Sequence, residues 1–176
     1  MRRVAIVLVV LAVIAGAGFA DGRADLGVNI PWQLGATLDE SVGETEDPTL
    51  NVLSELAFLL PEAMISYEAP VGPVNLGVGV RAFTFLIESI AYPAAYAEID
   101  VGPAVVNLNV GGGAFLLFGV FNHFETASLV IPDLSAHLKL GEALRVGIGT
   151  ASFLGGGDQD VVPWVIYLSG KFIVRF

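Results

Sequence analysis

An eight-stranded antiparallel up-and-down transmembrane β-barrel is predicted by three observations. Polar and apolar residues alternate with a period of two along eight successive segments. The chain is 55% hydrophobic and only 15% charged, yet past its amino-terminal segment it has no run of ~20 apolar residues that could span as a helix. Short turns alternate with longer polar or aromatic loops between the segments, the order that an up-and-down barrel with both termini on one side requires.

The amino terminus sets the boundary of the barrel. Arg2 and Arg3 precede an apolar run from Val4 to Ala15, followed by small residues to Ala20. This charged, hydrophobic and small-residue order predicts a cleaved export signal over 1–20, with the barrel occupying 21–176. Gly18 and Ala20 supply the two small positions that cleavage after Ala20 needs; Ala15-Gly16-Ala17 is an earlier option. With no cysteine, lipoprotein anchoring and disulfides are excluded, which suits an oxidising periplasm. Loss of Arg2 and Arg3 leaves 6 bases against 18 acids, a formal charge of −12. That charge repels phosphate backbones, so no nucleic-acid partner is expected.

The first segment, Asp25 to Leu34, sets Leu26, Val28, Ile30, Trp32 and Leu34 on one face and Asp25, Asn29 and Gln33 on the other. The acidic stretch Asp39 to Asp47 is too polar for a membrane interior and reads as an outer loop. The second segment, Ala57 to Glu68, points Ala57, Leu59, Ala63, Ile65 and Tyr67 outward and Glu62, Ser66 and Glu68 inward. Pro70 to Pro73 makes a tight turn.

The third segment, Val74 to Thr84, alternates outward valines and Leu76 with inward Asn75, Gly77, Gly79 and Arg81. After a loop over Leu86 to Pro93, the fourth opposes Ala95, Ala97, Ile99 and Val101 to Tyr96, Glu98 and Asp100. Gly102-Pro103 turns the chain into the fifth, with Val106, Leu108, Val110 and Ala114 out and Asn107, Asn109, Gly111 and Gly113 in. The similarity of Val71 to Gly79 with Val101 to Gly111 reads as repeated hairpin chemistry.

A loop over Phe118 to Ser128 leads to the sixth, where Leu134, Ala136, Leu138 and Leu140 oppose Asp133, Ser135, His137 and Lys139. Beyond the turn Gly141 to Ala143, the seventh has Arg145, Gly147 and Gly149 inside. The loop Gly155 to Asp160 precedes the eighth. There Leu168, Phe172, Val174 and Phe176 share one face and Ser169, Lys171 and Arg175 the other. No charge falls on the lipid face of these core segments, where a base at the midplane costs ~2–4 kcal/mol. Trp32, Tyr67, Tyr92 and Trp164 are expected in interfacial aromatic girdles.

Leu168, Phe172, Val174 and terminal Phe176 resemble the carboxy-terminal assembly signal of bacterial outer-membrane barrels, which typically end on an aromatic residue. The whole chain from residue 21 resembles the small eight-stranded barrels of the OmpA and OmpX class. That resemblance implies an integral bacterial outer-membrane protein with periplasmic termini. Its partners would be outer-membrane lipid and, during biogenesis, the barrel-assembly machinery. The class holds anchors, adhesion proteins, pores and lipid-modifying enzymes, so membership selects no single function.

An eight-stranded lumen is barely wide enough for side chains, so its charges should meet. The expected network is Asp25, Glu62, Glu68, Glu98 and Asp100 with Arg81, Lys139, Arg145, Lys171 and Arg175, joined by His137. A symmetric hairpin closing at Val71 and Gly72 would put Glu62 directly across from Arg81. The inner glycine pairs at 77/79, 111/113 and 147/149 should leave room for long acids and bases. A lumen plugged by ion pairs, in a non-enzymatic structural or surface-interaction protein, is the first functional reading. A narrow pore is the second and a lipid-modifying enzyme the third. Ser135 and His137 are roughly 6.5 Å apart along a strand, too far for a nucleophile and its base. His123, Glu125 and the acids of the first loop lack the clustering of a metal site, so neither metal nor cofactor is expected. The loop with Phe118, Phe121 and Phe124 reads first as part of the interfacial aromatic girdle and second as a surface for lipid or a partner protein, and any extracellular partner would meet the loops.

Overall fold

The computed structural model describes residues 21–38, 49–51, 59–85, 87–120, 122–155 and 161–176. The segment 1–20 expected to be an export signal, the acidic stretch 39–47, Ala57, Phe121 and residues 156–160 lie outside the described residues.

The strands are β1 (Asp21–Leu38), β2 (Thr49–Asn51), β3 (Leu60–Val71), β4 (Val74–Phe85), β5 (Glu88–Val101), β6 (Ala104–Gly119), β7 (His123–Leu140), β8 (Leu144–Ser152) and β9 (Val161–Arg175). Every neighbouring pair is antiparallel, and β1 pairs with β9 from Arg23↔Arg175 to Leu38↔Val161, closing the sheet on itself. β1 uses its other edge for β3 over 21–29 and for the three-residue β2 over 33–35, so β2 continues the course of β3. The result is a closed eight-stranded antiparallel barrel. Closure gives every strand of the barrel wall a neighbour on both sides, the condition for backbone polar groups to lie in hydrocarbon.

Alternation sorts the side chains as the sequence predicts. Leu26, Ile65, Val80, Leu108, Leu134, Leu138 and Val174 are among the exposed large residues of the outer face. Arg81, Glu98, Asn109, Asp133, Ser135, His137 and Arg145 are buried in the lumen. Trp32 and Trp164 face outward at one end and Tyr67 and Phe176 at the other. That distribution is an apolar wall between two aromatic levels.

Three short turns lie at the end that holds both described termini. Gly72-Pro73 and Gly102-Pro103 each place glycine at φ near +60° (63° and 62°) before a proline, the type II′ arrangement that matches the twist of a hairpin. Gly141 to Ala143 forms the third.

The opposite end differs from the sequence reading. Instead of loops over Leu86–Pro93 and Phe118–Ser128, β5 begins at Glu88 and β7 at His123. Pro93 lies within β5 although it cannot donate to the ladder. It sits where the β5–β6 register shifts between Ala91 and Ala94, and a bulge tolerates the missing donor. Shifts also occur at Pro31/Gln33 and Gly112/Ala114. The first sets Gln33 against outward Ile166 and Leu34 against Val165, which packs on the core, reversing the faces expected for both. Gly113 is likewise no inner filler, since it lies exposed in its bulge at φ 83°.

Candidate functional site

The lumen divides into a charged half at the turn end and an apolar half at the loop end. Two ion clusters build the charged half.

In the first cluster, nearer the turns, Arg23 of β1 grips Asp25 with Nε and Nη2, at 2.7 and 2.8 Å. Its Nη1 donates to Glu68 at 2.9 Å and to Glu98 at 3.0 Å. Arg145 of β8 makes a two-pronged contact with Glu98, at 2.7 and 3.0 Å. The Arg175 Nε donates to the second oxygen of Glu68. Three guanidinium groups thus meet three carboxylates, and planar forked donors satisfy carboxylate lone pairs better than point charges do. The Tyr96 hydroxyl adds a donor to Glu68 at 3.0 Å, and its ring lies 5.2 Å from the Arg23 guanidinium carbon.

The second cluster lies deeper. Arg81 of β4 donates to Glu62 at 3.0 Å and to Asp133 at 2.6 Å, while Lys171 reaches Glu62 at 3.0 Å. Asn29 and Tyr167 complete the coordination of Glu62 and Asp133. Two bases face two acids, so this cluster is also neutral. Balance matters because an unpaired ion here would carry a desolvation penalty of several kcal/mol.

Glu62 and Arg81 are joined, but not as direct cross-strand partners. The hairpin turns at Gly72-Pro73 rather than Val71-Gly72, so Arg81 lies opposite Met64 and Glu62 opposite Phe83. The long guanidinium arm spans the diagonal offset. Asp100 and Lys139 pair with one another at 3.1 Å on the exposed rim, apart from both clusters. His137 is buried beside the first cluster, and its Nε2 has no hydrogen-bond partner. Ser135 is therefore not bonded to that nitrogen, and the two do not form a nucleophile and base. His123 contacts Glu125 at 3.0 Å on the exposed end of β7.

Tyr92 is a correction. Rather than joining a girdle it is 2% exposed inside the barrel, where it packs on Phe83 and Phe115. The loop assumed around it had left its face undefined; as part of β5 it shares the inward parity of Tyr96 and Glu98.

The inner glycines are filled differently from the expectation as well. A Cβ at Gly77 would strike the Tyr96 ring, one at Gly111 the Tyr92 ring, and one at Gly149 the Tyr167 ring. Tyrosines from adjacent strands, not long acids and bases, occupy the vacated space. Gly79 and Gly147 meet neighbouring backbone instead.

Sequence reasoning left Arg23 and Asp133 out of the network. The signal for Arg23 was present: it lies two residues before Asp25, hence on the same face of a strand. Starting the first strand at Asp25 hid it. Asp133 had been assigned to the interior, but which inner charges touch depends on the stagger between strands.

No family model matches the sequence, and no curated protein sequence matches it. Solved structures do. Neisserial surface protein A is 10% identical, with a TM-score of 0.48 over 86% of this chain and 96% of that one. The amino-terminal β-barrel domain of OprF from Pseudomonas aeruginosa is 9% identical, with a TM-score of 0.46 over 87% and 99%. Ail, the attachment invasion locus protein of Yersinia pestis, is 9% identical, with a TM-score of 0.38 over 88% and 99%. The chain is a small eight-stranded barrel. At these identities the likeness concerns the fold alone.

Between the charged side chains of the first cluster the barrel keeps a space of only about 10 Å³, bordered by Arg23, Glu98, Asn109, His137, Arg145 and Lys171. That is room for about one water molecule. At the loop end Phe83, Ile90, Leu129, Ile131, Phe153 and Val165 surround a larger apolar cavity of about 150 Å³.

Proposed function

We propose that this chain is an integral outer-membrane barrel with a structural or surface-interaction role, non-enzymatic, whose lumen is closed by its two ion clusters. The observation that carries the reading is the pairing of five bases with five acids across the barrel interior, with a residual space of about 10 Å³ in the first cluster. A hydrated ion needs a continuous wet path, and one water-sized void is not a path. The apolar outer wall supports placement in lipid, and the outward row of Leu168, Phe172 and Val174 on β9 supports delivery by the barrel-assembly machinery. Periplasmic turns and outward loops fit the short turns gathered at the end of the described termini. Any surface partner would then meet the loop end.

The competing reading is a narrow pore for ions or small polar solutes. Planar-bilayer conductance of the folded mature protein decides between them, with an unboiled gel shift to certify closure. Folded protein that gives no steps supports the plug. Reproducible steps altered by Glu62→Gln or Arg81→Gln would establish the pore.

A further inference from the structure

The apolar cavity at the loop end is independent of whether the clusters below it conduct. Its walls come from Leu60 of β3, Phe83 of β4, Ile90 of β5, Ile131 of β7, Ala151 of β8 and Val165 of β9, so it is built by most of the barrel rather than by one loop. Its floor is polar. Asn29, Tyr92, Asp133 and Tyr167 border it from the side of the second ion cluster.

Two of these floor groups have unused hydrogen-bonding capacity. Asn29 is 3% exposed, and its Nδ2 donates to Glu62. A carboxylate only accepts, so the amide orientation is fixed and Oδ1 is the free acceptor; that oxygen has no partner. The Tyr92 hydroxyl is buried without a hydrogen-bond partner as well. Arg81 is its cross-strand neighbour, but a guanidinium can only donate, so the phenolic proton has no acceptor. By contrast, the two carboxylate oxygens of Asp133 are taken by Arg81 and Tyr167. Buried polar atoms are rarely left unpaired, and here the two residues that carry one such acceptor and one such donor both border the same apolar chamber.

We propose that this chamber is a binding site for a small, uncharged, mostly apolar molecule that carries one hydroxyl group, such as an aromatic or short-chain alcohol. The volume suits a single ring: dry apolar cavities of about 150 Å³ bind benzene-sized molecules. A hydroxyl can donate to Asn29 Oδ1 or accept from Tyr92, satisfying capacity that a hydrocarbon leaves unmet. Charge is disfavoured, because the ions of the floor already neutralise one another and a further ion would be desolvated without a partner. The ligand sits above the ion clusters at the loop end, so the geometry describes capture from the loop side.

The test uses the folded protein in phosphatidylcholine nanodiscs, with empty nanodiscs as the control for partition into lipid. ¹⁹F NMR follows 4-fluorobenzyl alcohol, fluorobenzene and 4-fluorobenzoate. The alcohol is expected to saturate one site per barrel, and fluorobenzene to bind about three- to tenfold more weakly, the range for one net hydrogen bond. The benzoate is expected not to saturate. Ala151→Phe should fill the chamber and abolish saturable binding of both neutral probes. Tyr92→Phe should keep ring binding and narrow the preference for the alcohol. Should Ala151→Phe fail the gel-shift check for folding, amide shifts of Ile131, Ala151 and Val165 in the unsubstituted protein provide the second readout. Probe signals that match empty nanodiscs, saturable binding unchanged in folded Ala151→Phe, or amide shifts absent from those residues would each overturn the proposal. In those cases the floor groups are satisfied by water alone.

Discussion

Arg23 and Glu98 meet across the lumen, Nη1 to Oε2 at 3.0 Å, although they are 75 residues apart and the staves β3 and β4 lie between their strands. Through this contact and the one to Glu68, a single guanidinium ties β1 to β3 and β5. Such a tie resists changes in the cross-section of the barrel, which ladder hydrogen bonds alone do not.

Arg23→Ala is therefore expected to be costly. It leaves Asp25, Glu68 and Glu98 facing two remaining guanidinium groups, and breaking a buried pair from one side typically costs about 3–5 kcal/mol. Urea unfolding in lipid vesicles, followed by tryptophan fluorescence, should show a lowered midpoint. Arg23→Lys should recover only part of it, because an ammonium cannot reproduce the forked contact with Asp25. A midpoint unchanged in Arg23→Ala would show that the cluster is not a structural lock.

Location within the barrel should decide the worth of each ion pair. Glu62→Ala takes the acid from Lys171, leaves buried Arg81 with Asp133 alone, and should destabilise by about 3 kcal/mol or more. Asp100→Ala breaks the rim pair with Lys139, where the Asp100 side chain is 54% exposed, and should change stability by less than about 1 kcal/mol. Added salt should erase the Asp100 effect and spare that of Glu62. Equal costs for the two variants would contradict the partition into lumen and rim.

Gly149→Val inserts a side chain where the Tyr167 ring lies, and Tyr167 holds Asp133 through its hydroxyl. Overpacking of this kind costs about 1–3 kcal/mol. Combining it with Tyr167→Ala should cost less than the sum of the single changes, because loss of the ring removes the clash and the valine fills part of the space the ring leaves. Simple additivity in the vesicle unfolding assay would place the ring elsewhere.

Phe176 closes the seam. Its backbone exchanges hydrogen bonds with Gly22 at 2.8 and 2.9 Å, and its ring covers the space above that glycine. Phe176→Ala should cost about 0.5–1 kcal/mol, the scale of a cross-strand side-chain contact. It should also slow the appearance of the compact gel form in vesicles that contain no assembly proteins. An effect seen in cells but not in such vesicles would assign Phe176 to recognition by the assembly machinery alone.

Alternation by itself determined the barrel, the faces of most staves and most of the inner charge set, though not Arg23 or the rim position of Asp100 and Lys139, because a strand has a period of two and lipid and lumen impose opposite demands on its two sides. Leu134 against Ser135, or Val146 against Arg145, can be sorted without knowing any neighbour. The strand ends near Pro93 and the parity past Pro31 could not be, since a bulge is a compromise between adjacent strands and changes which residue faces in. Tyr92 was lost from the interior for that reason, and with it the apolar chamber. The tertiary structure alone decided which charges touch. Contacts such as Arg23 to Glu98 and Arg81 to Asp133 depend on the stagger of staves around a closed cylinder, and stagger is a property of the whole ring rather than of any segment in it.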